Sequence, residues 1–268
     1  MGSTPDSWLR ICAVSLPMNA CAERICAAPA PSHRLETFRD IPLLTRWSDC
    51  SRAGRSGVEP VTEEIAPERL VAIVRTPDRE LAVPLAEAIV SGGISSIEVA
   101  LTTPNALEAI AELVSRLGHR AVVGAGTVRN GSDAASAIAA GARFLVSPDF
   151  NEKVLDKARS ARIPYVPGAL TPSEVGEILA AGVEVIKIFP AVRLGPGYLR
   201  DLLGPFPQLR PIPTGGIDFL NALDFMQAGA FALGIGSALT NGAGRSGLAG
   251  VTARTRRLKR LMARVDGR

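Results

Sequence analysis

Residues 97–124, IEVALTTPNALEAIAELVSRLGHRAVVG, carry the pattern that indicates the fold class. The stretch begins with a short β-rich run, Ile97–Leu101, continues with apolar residues at helical spacing over Pro104–Leu117, and closes with a second β-rich run, Ala121–Gly124. The Thr-Thr-Pro sequence between the first run and the helical pattern is a typical helix start. Consecutive strands that are joined through a helix lie parallel, so the stretch predicts one strand–helix–strand unit of an α/β protein.

The same alternation continues on both sides of this stretch. Further β-rich runs are predicted at Leu70–Arg75, Arg143–Val146, Pro164–Val166, Val185–Ile188, Arg210–Pro213 and Phe231–Ile235. Helical patterns are predicted at Arg79–Ser91, Ser132–Ala140, Glu152–Ala161, Ser173–Ala181, Tyr198–Leu203 and Phe219–Gln227, with a closing helix after them. Eight such units in about 200 residues fit a closed (β/α)8 TIM barrel better than an open doubly wound sheet. The GAGTVRNG segment lacks the third glycine of a dinucleotide-binding loop, which also disfavours the open sheet.

Residues 1–61 differ in character from the rest of the chain. They hold all four cysteines and both tryptophans, together with breaker-rich clusters that show no sustained periodicity. We interpret them as a poorly ordered N-terminal extension ahead of a barrel at residues 62–268; the alternative is a signal peptide, whose apolar stretch Pro17 would interrupt. The cysteines form no CxxC pair and the barrel region has none, which favours a cytoplasmic location.

The positive charge is concentrated at the C-terminus. Residues 241–268 carry eight basic residues and one acidic residue, whereas residues 61–240 carry 15 basic and 19 acidic ones. In the terminal segment Leu258, Leu261 and Met262 recur at helical spacing, so its arginines are expected to form the exposed face of a closing helix. No aromatic residues interleave with them as in a nucleic-acid site, and no early apolar run approaches the ~20 residues of a membrane span. The sequence therefore predicts neither a nucleic-acid partner nor a membrane partner.

The carboxyl ends of the strands form the active site in barrels of this kind. Lys187 stands out there, because it lies inside the apolar run VEVIKIFP of a chain with few lysines. Burial disfavours a charged ammonium and so favours a neutral amine that can attack a carbonyl. The alternative is a strand-end lysine that reaches solvent or pairs with Glu184.

Glu98 is the second unusual strand residue. A carboxylate in the middle of a strand needs a partner, and a lysine across the barrel would serve. Together the two side chains would make a nucleophile and a general acid/base, the minimum set for imine chemistry; the alternative is a structural ion pair. The glycine-rich segments PTGGI and GIGSAL follow the last two strands, where barrels commonly bind phosphate through backbone N–H groups.

Six motifs, IEVALTTP, VGAGTV, FLVSP, VPGA, IKIFPA and PTGGI, occur in the order and spacing of a known family. Over about residues 62–265 the sequence resembles the 2-dehydro-3-deoxy-6-phosphogluconate (KDPG) aldolases, a group that includes 4-hydroxy-2-oxoglutarate (KHG) aldolases. The resemblance implies a class I aldolase on a (β/α)8 barrel, a homotrimer without metal or organic cofactor. Its ligands would be a 2-keto-3-deoxy sugar acid phosphate and the products pyruvate and glyceraldehyde 3-phosphate. Cleavage of 4-hydroxy-2-oxoglutarate to pyruvate and glyoxylate, the phosphogalactonate aldolase reaction, and a sugar-phosphate epimerase or synthase remain open.

The resemblance also implies roles for individual residues. Lys187 matches the Schiff-base lysine, Glu98 the general acid/base, and Thr127 a residue that binds the pyruvate carboxylate. The remaining substrate-binding residues that it implies are the pocket walls and the phosphate turns: Pro148, Phe189, Thr214, Gly215, Gly216, Gly236 and Ser237.

The chain departs from the family at one position. The best-known members carry an anion-binding arginine where this sequence has Thr102, and other members carry one at the end of the first strand, where this chain has Arg75. We therefore predict that Arg75 binds the substrate. The alternative is that Arg75 pairs with Glu98 or Asp78 at the rim of the barrel.

Overall fold

The alternation of strands and helices extends through residues 65–244 and 247–266, the part of the chain that this computed structural model describes. The strands are β1 (Leu70–Val74), β2 (Ser96–Ala100), β3 (Val122–Gly126), β4 (Leu145–Val146), β5 (Tyr165–Val166), β6 (Gly168–Ala169), β7 (Val185–Ile188), β8 (Arg210–Pro213) and β9 (Leu233–Ile235). The helices are α1 (Ala82–Gly92), α2 (Ala106–Leu117), α3 (Gly131–Ala139), α4 (Glu152–Ala161), α5 (Pro172–Ala180), α6 (Gly195–Leu203), α7 (Ala222–Gln227), α8 (Ser237–Thr240) and α9 (Leu248–Asp266). The predicted poorly ordered extension, residues 1–61, and the predicted boundary at residue 62 lie outside the described residues.

All eight predicted strand positions are occupied, but the fifth is divided. Pro167 separates β5 from β6, because a proline has no N–H to donate to a sheet. The Pro167 carbonyl still accepts a hydrogen bond from the Lys187 N–H, at 2.8 Å. The short helix α8, directly after the last strand, was not predicted.

The strands pair in parallel and in chain order. One sheet has the order β5-β4-β3-β2-β1-β9, and a second has the order β6-β7-β8. The sheet curls so far that the last strand lies beside the first, with Leu233 in register with Leu70. An isolated bridge between Thr214 and Gly234 connects the end of β8 with β9. The fold is therefore an α/β fold built on a curled parallel sheet.

The curled sheet buries both of its faces. Leu70, Ala72 and Val74 of β1 belong to a large apolar cluster with the helices, because alternate residues of a strand point to the same face. The opposite face carries a smaller inner cluster, to which Ile65 and Ala66 ahead of β1 also belong. Its strand and flanking members are Val71, Phe144, Val146, Val166, Val185, Ile212 and Ala232.

The closing helix α9 packs as its spacing predicts. Leu258 and Met262 are buried, while the Arg257 guanidinium stacks 4.9 Å from the centre of the Phe219 ring. Arg254 donates to the Leu239 carbonyl at 2.8 Å, so part of the basic surface stabilises the helix ends below it. Within the described ranges, every helix is too short or too polar to cross a membrane.

Candidate active site

Two oppositely charged side chains meet on the inner face of the sheet. Lys187 lies in β7 and Glu98 in β2, and the lysine Nζ is 3.6 Å from the Glu98 Oε1. Only 7% of the lysine side chain and 2% of the glutamate side chain are exposed, so the lysine does not extend into solvent. The Glu98 Oε1 has no hydrogen-bond partner among the described residues. A buried oxygen without a hydrogen-bond partner is unusual in proteins, and here the ion pair with Lys187 is the contact that compensates it.

Gly126, the residue before Thr127, makes room for this carboxylate. A Cβ at position 126 would come within 1.9 Å of the Glu98 Oε1, because β2 and β3 are paired neighbours. A larger residue at position 126 would therefore displace Glu98. The GAGT motif predicts a role for Thr127 but not for Gly126; the only sequence signal for Gly126 is the second glycine at the end of a strand.

A small cavity lies against the pair. Its volume is about 10 Å³, which is room for about one water molecule. Glu98, Lys187 and Thr214 contribute its polar groups, and side chains of the inner cluster line the rest. A Cβ on Gly234 would meet the Thr214 Oγ1 at 2.2 Å, so a second glycine permits close packing here. The inner face thus holds an ion pair in apolar surroundings.

Two other lysines lie in a very different setting. Lys153 and Lys157 line an open depression of about 590 Å³ at the start of α3, together with Asn130, Gly131 and Ser132. Both lysine side chains are exposed. They therefore provide internal controls for any chemistry that is assigned to Lys187.

Arg75 follows β1 and Thr127 follows β3, and the two side chains are in direct contact across the end of β2, which lies between these strands. The Arg75 Nη2 donates to the Thr127 Oγ1 at 3.0 Å. Among the described residues Arg75 forms no ion pair with Glu98 or with Asp78, which was the alternative prediction. A guanidinium carries five N–H donors, so most of its hydrogen-bonding capacity is available at this exposed position.

The two expected pocket walls flank the strand ends. The centre of the Phe189 ring is 5.6 Å from the Lys187 Nζ, and 39% of Phe189 is exposed. Pro148 lies two residues after the end of β4. A Cβ on Gly168 would meet the Pro148 carbonyl oxygen at 2.2 Å. Phe189 is thus beside the Lys187 amine, and Pro148 is held against β6.

The glycine turn after β8 has a backbone that favours glycine. Gly215 and Gly216 have φ values of 92° and 80°, which L side chains rarely adopt. A Cβ on Gly216 would also approach Val192 to 2.4 Å, and one on Gly215 would approach Phe189 to 3.1 Å. The turn therefore lies against the segment that follows β7.

Gly236 and Ser237 form the adjoining turn after β9. Gly236 precedes the short helix α8, and Ser237 is its exposed first residue. The bridge between Thr214 and Gly234 makes the turns after β8 and β9 neighbours. Backbone N–H groups from glycine turns and helix starts are suited to phosphate oxygens.

The remaining site features concern metals and the position of the family arginine. Within residues 65–244 and 247–266, no group of three or more His, Cys, Asp or Glu side chains is placed to hold a metal ion. Thr102 lies exposed in the turn after β2.

Comparison with known proteins identifies a family and close structural relatives. Residues 61–247 match the family model described as KDPG and KHG aldolase. A 2-dehydro-3-deoxy-phosphogluconate aldolase of Dickeya dadantii is 41% identical over 148 residues, which are 55% of this chain and 69% of that protein. The KHG/KDPG aldolase of Escherichia coli K12 is 39% identical over 158 residues, 59% of this chain and 74% of that protein. The KDPG aldolase structure from Legionella pneumophila, with pyruvate captured as a covalent carbinolamine, has a TM-score of 0.67 and 31% identity, covering 73% of this chain and 95% of that one.

Proposed function

This chain belongs to the KDPG and KHG aldolase family, and we propose from that premise that it is a class I aldolase acting through Lys187 and Glu98. It cleaves 2-dehydro-3-deoxy-6-phosphogluconate to pyruvate and glyceraldehyde 3-phosphate. The single observation that carries the residue assignment is the buried Lys187–Glu98 pair at 3.6 Å. Cleavage of 4-hydroxy-2-oxoglutarate to pyruvate and glyoxylate uses the same chemistry, and similarity to a KHG/KDPG aldolase supports it.

The first half of the reaction forms an imine. Glu98 accepts a proton from the Lys187 ammonium, and the free amine attacks the C2 ketone to give a carbinolamine. Glu98 returns the proton to the departing hydroxyl, so that water leaves and a protonated imine remains. The Glu98 Oε1 supports this role, since it faces the Lys187 Nζ and has no hydrogen-bond partner among the described residues.

The second half breaks the C3–C4 bond. Glu98 removes the proton of the C4 hydroxyl, the C3–C4 electron pair moves into the imine, and the aldehyde departs. The resulting enamine takes a proton at C3, and water hydrolyses the imine to release pyruvate and regenerate the lysine. The protonated imine is the electron sink, so the proposed reaction needs neither a metal nor an organic cofactor.

Charge placement supports a binding mode for the two anions of the substrate. Arg75 and Thr127, joined by their 3.0 Å hydrogen bond, bind the carboxylate beside the ketone. The turns at Gly215–Gly216 and Gly236–Ser237 bind the distal phosphate through backbone N–H groups and the Ser237 hydroxyl. Phe189 and Pro148 form the walls between these two sites.

The same proposal includes a closed (β/α)8 barrel. The pairing of β9 with β1 and the bridge from Thr214 to Gly234 both support closure of the curled sheet. On this interpretation β5 and β6 are two parts of one strand around Pro167. The homotrimer and the cytoplasmic location remain predictions; light scattering during gel filtration, with three chain masses expected, tests the first.

Borohydride trapping tests the proposed chemistry. Reduction in the presence of pyruvate should add one pyruvate-derived mass to the peptide that contains Lys187, because only an imine is reduced to a stable amine. Lys187→Met should abolish both the adduct and the cleavage activity, whereas Lys153→Met and Lys157→Met should retain both. An adduct on Lys153 or Lys157 would disprove the assignment, and an activity loss in EDTA that a divalent metal restores would indicate metal-dependent chemistry instead.

A further inference from the structure

Thr127 has a backbone conformation that its side chain disfavours. Its φ is 60°, in the left-handed region where a β-branched residue is an outlier. Such conformations persist only where the surroundings hold them, and they concentrate at functional sites. Contacts with the surrounding residues must therefore keep Thr127 in this conformation.

The residues on both sides of Thr127 are anchored to neighbouring strands. The Gly126 carbonyl accepts a hydrogen bond from the Leu101 N–H at 2.8 Å, just after β2. The Val128 N–H donates to the Val146 carbonyl of β4 at 3.0 Å. Since both flanking residues are held, the turn at position 127 has little freedom.

Ser147 forms a second hydrogen bond to Val128. Its hydroxyl donates to the Val128 carbonyl, and Ser147 has no exposed surface. The Val128 N–H thus bonds to Val146, and the Val128 carbonyl bonds to Ser147, the residue that follows Val146. Without the Ser147 hydroxyl, the buried Val128 carbonyl would lose this donor.

The loop that carries Ser147 is itself braced. The Asn151 N–H donates to the Tyr165 hydroxyl at 3.2 Å, and that hydroxyl donates to the Asp149 carbonyl at 3.3 Å. The Asn151 Nδ2 donates to the Arg129 carbonyl at 3.2 Å. Two successive residues after Thr127, Val128 and Arg129, therefore bind to the loop after β4.

The direction of the Thr127 hydroxyl follows from its partner. Arg75 donates to the Thr127 oxygen, so the hydroxyl hydrogen is left to donate to another acceptor. In the proposed binding mode that acceptor is the substrate carboxylate. The geometry depends on the left-handed backbone, because φ and ψ at position 127 determine where the side chain points.

We propose that Ser147 is a positioning residue for the binding of 2-oxo acids. Its buried hydroxyl holds the Val128 carbonyl, which keeps Thr127 in the left-handed conformation that presents the threonine hydroxyl to the substrate carboxylate. Ser147 acts through Thr127 and is not a catalytic residue. The inference rests on the proposed function of Thr127 and adds the residue that makes it possible.

The test is the concentration dependence of borohydride inactivation by pyruvate. Ser147→Ala should raise the half-saturating pyruvate concentration about tenfold, the size expected for one lost buried hydrogen bond. KM for cleavage should rise in parallel, while kcat should change less than about threefold, because Lys187 and Glu98 are not moved. Ser147→Cys, which has similar shape and a weak donor, should give an intermediate value and covers the case that the alanine variant folds poorly.

A matched control separates positioning from general stability. The Thr252 hydroxyl donates to the Ala88 carbonyl at 2.8 Å, a bond of the same kind that joins α9 to α1. Thr252→Val should lower stability and leave half-saturation by pyruvate unchanged. An equal rise in half-saturation for Thr252→Val would overturn the proposal, since the effect would then come from destabilisation alone.

A double-mutant cycle tests the route through Thr127. Thr127→Gly removes the hydroxyl and adopts a φ of 60° without strain, so it should weaken pyruvate binding by itself. Adding Ser147→Ala to Thr127→Gly should then cause no further change, whereas independent, additive effects would overturn the proposal. If Thr127→Gly binds pyruvate normally, the Thr127 role and this inference both fail, but the borohydride adduct on Lys187 still reports separately on the aldolase chemistry.

Discussion

Glu98 and Lys187 illustrate how a few neighbours allow two charges to exist inside a sheet. Removing one partner of a buried pair costs about 3–5 kcal/mol, because the other charge is left uncompensated. Lys187 and Glu98 therefore each require the other, and the glycine at position 126 leaves the space that the carboxylate occupies. The proposed chemistry and the packing therefore require the same three residues.

Arg75 is the residue whose proposed role can be tested most directly. Arg75→Ala should lower kcat/KM by about 10–150-fold, since a charge-assisted hydrogen bond contributes about 1.5–3 kcal/mol. The loss should be equal for phosphorylated and non-phosphorylated 2-oxo acids, because both carry the carboxylate. Arg75→Lys should recover part of the activity, since an ammonium cannot reproduce the planar guanidinium contact. Steady-state kinetics on both substrate types measures these effects.

Arg116→Ala provides the control for Arg75. Arg116 pairs with Glu87 and Glu112 at 2.9 Å and 2.8 Å on the helix surface, so its loss changes the net charge equally without touching the site. It should leave kcat/KM unchanged. A loss in Arg75→Ala that appears only with phosphorylated substrates would assign Arg75 to the phosphate, and full activity would leave the carboxylate to other donors.

Helix α5 shows how a local sequence signal becomes an element. The Thr171 Oγ1 accepts from the Glu174 N–H, while the Glu174 carboxylate accepts from the N–H groups of Leu170 and Thr171 at 2.8 Å and 2.7 Å. This reciprocal capping box satisfies backbone donors at the start of the helix. The backbone hydrogen bonds from Leu170 and Thr171 hold the pKa of Glu174 below its ordinary value.

The capping box predicts a pH-dependent contribution to stability. Because the folded state lowers the pKa of Glu174, the stabilisation is present above the pKa of the unfolded chain and is lost as the pH falls through the folded value. Glu174→Gln keeps an oxygen acceptor but loses the charge, so it should lower the free energy of unfolding by about 0.3–1 kcal/mol at pH 7, and the difference should shrink in acid. Urea unfolding at pH 7 and at pH 3 measures it.

A glutamate in the first turn of the preceding helix, α4, serves as the comparison for Glu174. Glu152 begins α4, where the Asn151 side chain caps the helix at the Lys153 and Val154 N–H groups. Glu152→Gln should have a smaller effect at pH 7 than Glu174→Gln. The free energies of unfolding of Glu174→Gln and of the parent chain should converge in acid. If their difference stays constant from pH 7 to pH 3, the carboxylate has no role in the cap.

At the scale of the whole molecule, the inner cluster sets where the folded unit must begin. Ile65 and Ala66 pack into it, with only 2% and 4% of their surface exposed, and Ile65 also lines the cavity beside Glu98 and Lys187. These two residues precede β1. They therefore belong to the inner cluster of the curled sheet and not to a separable segment.

Two truncations should bracket this boundary. Deleting residues 1–60 should preserve solubility and keep kcat/KM within about twofold, because the inner cluster stays complete. Deleting residues 1–66 should lower the free energy of unfolding by several kcal/mol, since losing a buried isoleucine alone costs about 2–5 kcal/mol. Thermal unfolding and the pyruvate-release assay distinguish the two chains. An insoluble or inactive product of the shorter deletion would show that the predicted boundary at residue 62 is wrong.

Much of the fold was open to prediction because its signals are local. The β-rich runs and the helical spacing involve residues within a few positions of one another, and every predicted strand position is occupied. Lys187 and Glu98 were recognisable for a related reason, since a charge inside an apolar strand is conspicuous without knowledge of its partner. Local patterns thus identified the elements and the two residues of the proposed chemistry.

Contacts between distant parts of the chain arise only when the sheet is assembled. Arg75 and Thr127 are 52 positions apart, and their hydrogen bond exists because β1, β2 and β3 align their carboxyl ends. The left-handed conformation of Thr127, the hydrogen bond from Ser147 to the Val128 carbonyl, and the space for Glu98 over Gly126 arise from the same register between strands. Register is the sum of many weak pairings along the whole sheet, so the sequence determined which residues could react, and the packed sheet determined which of them meet.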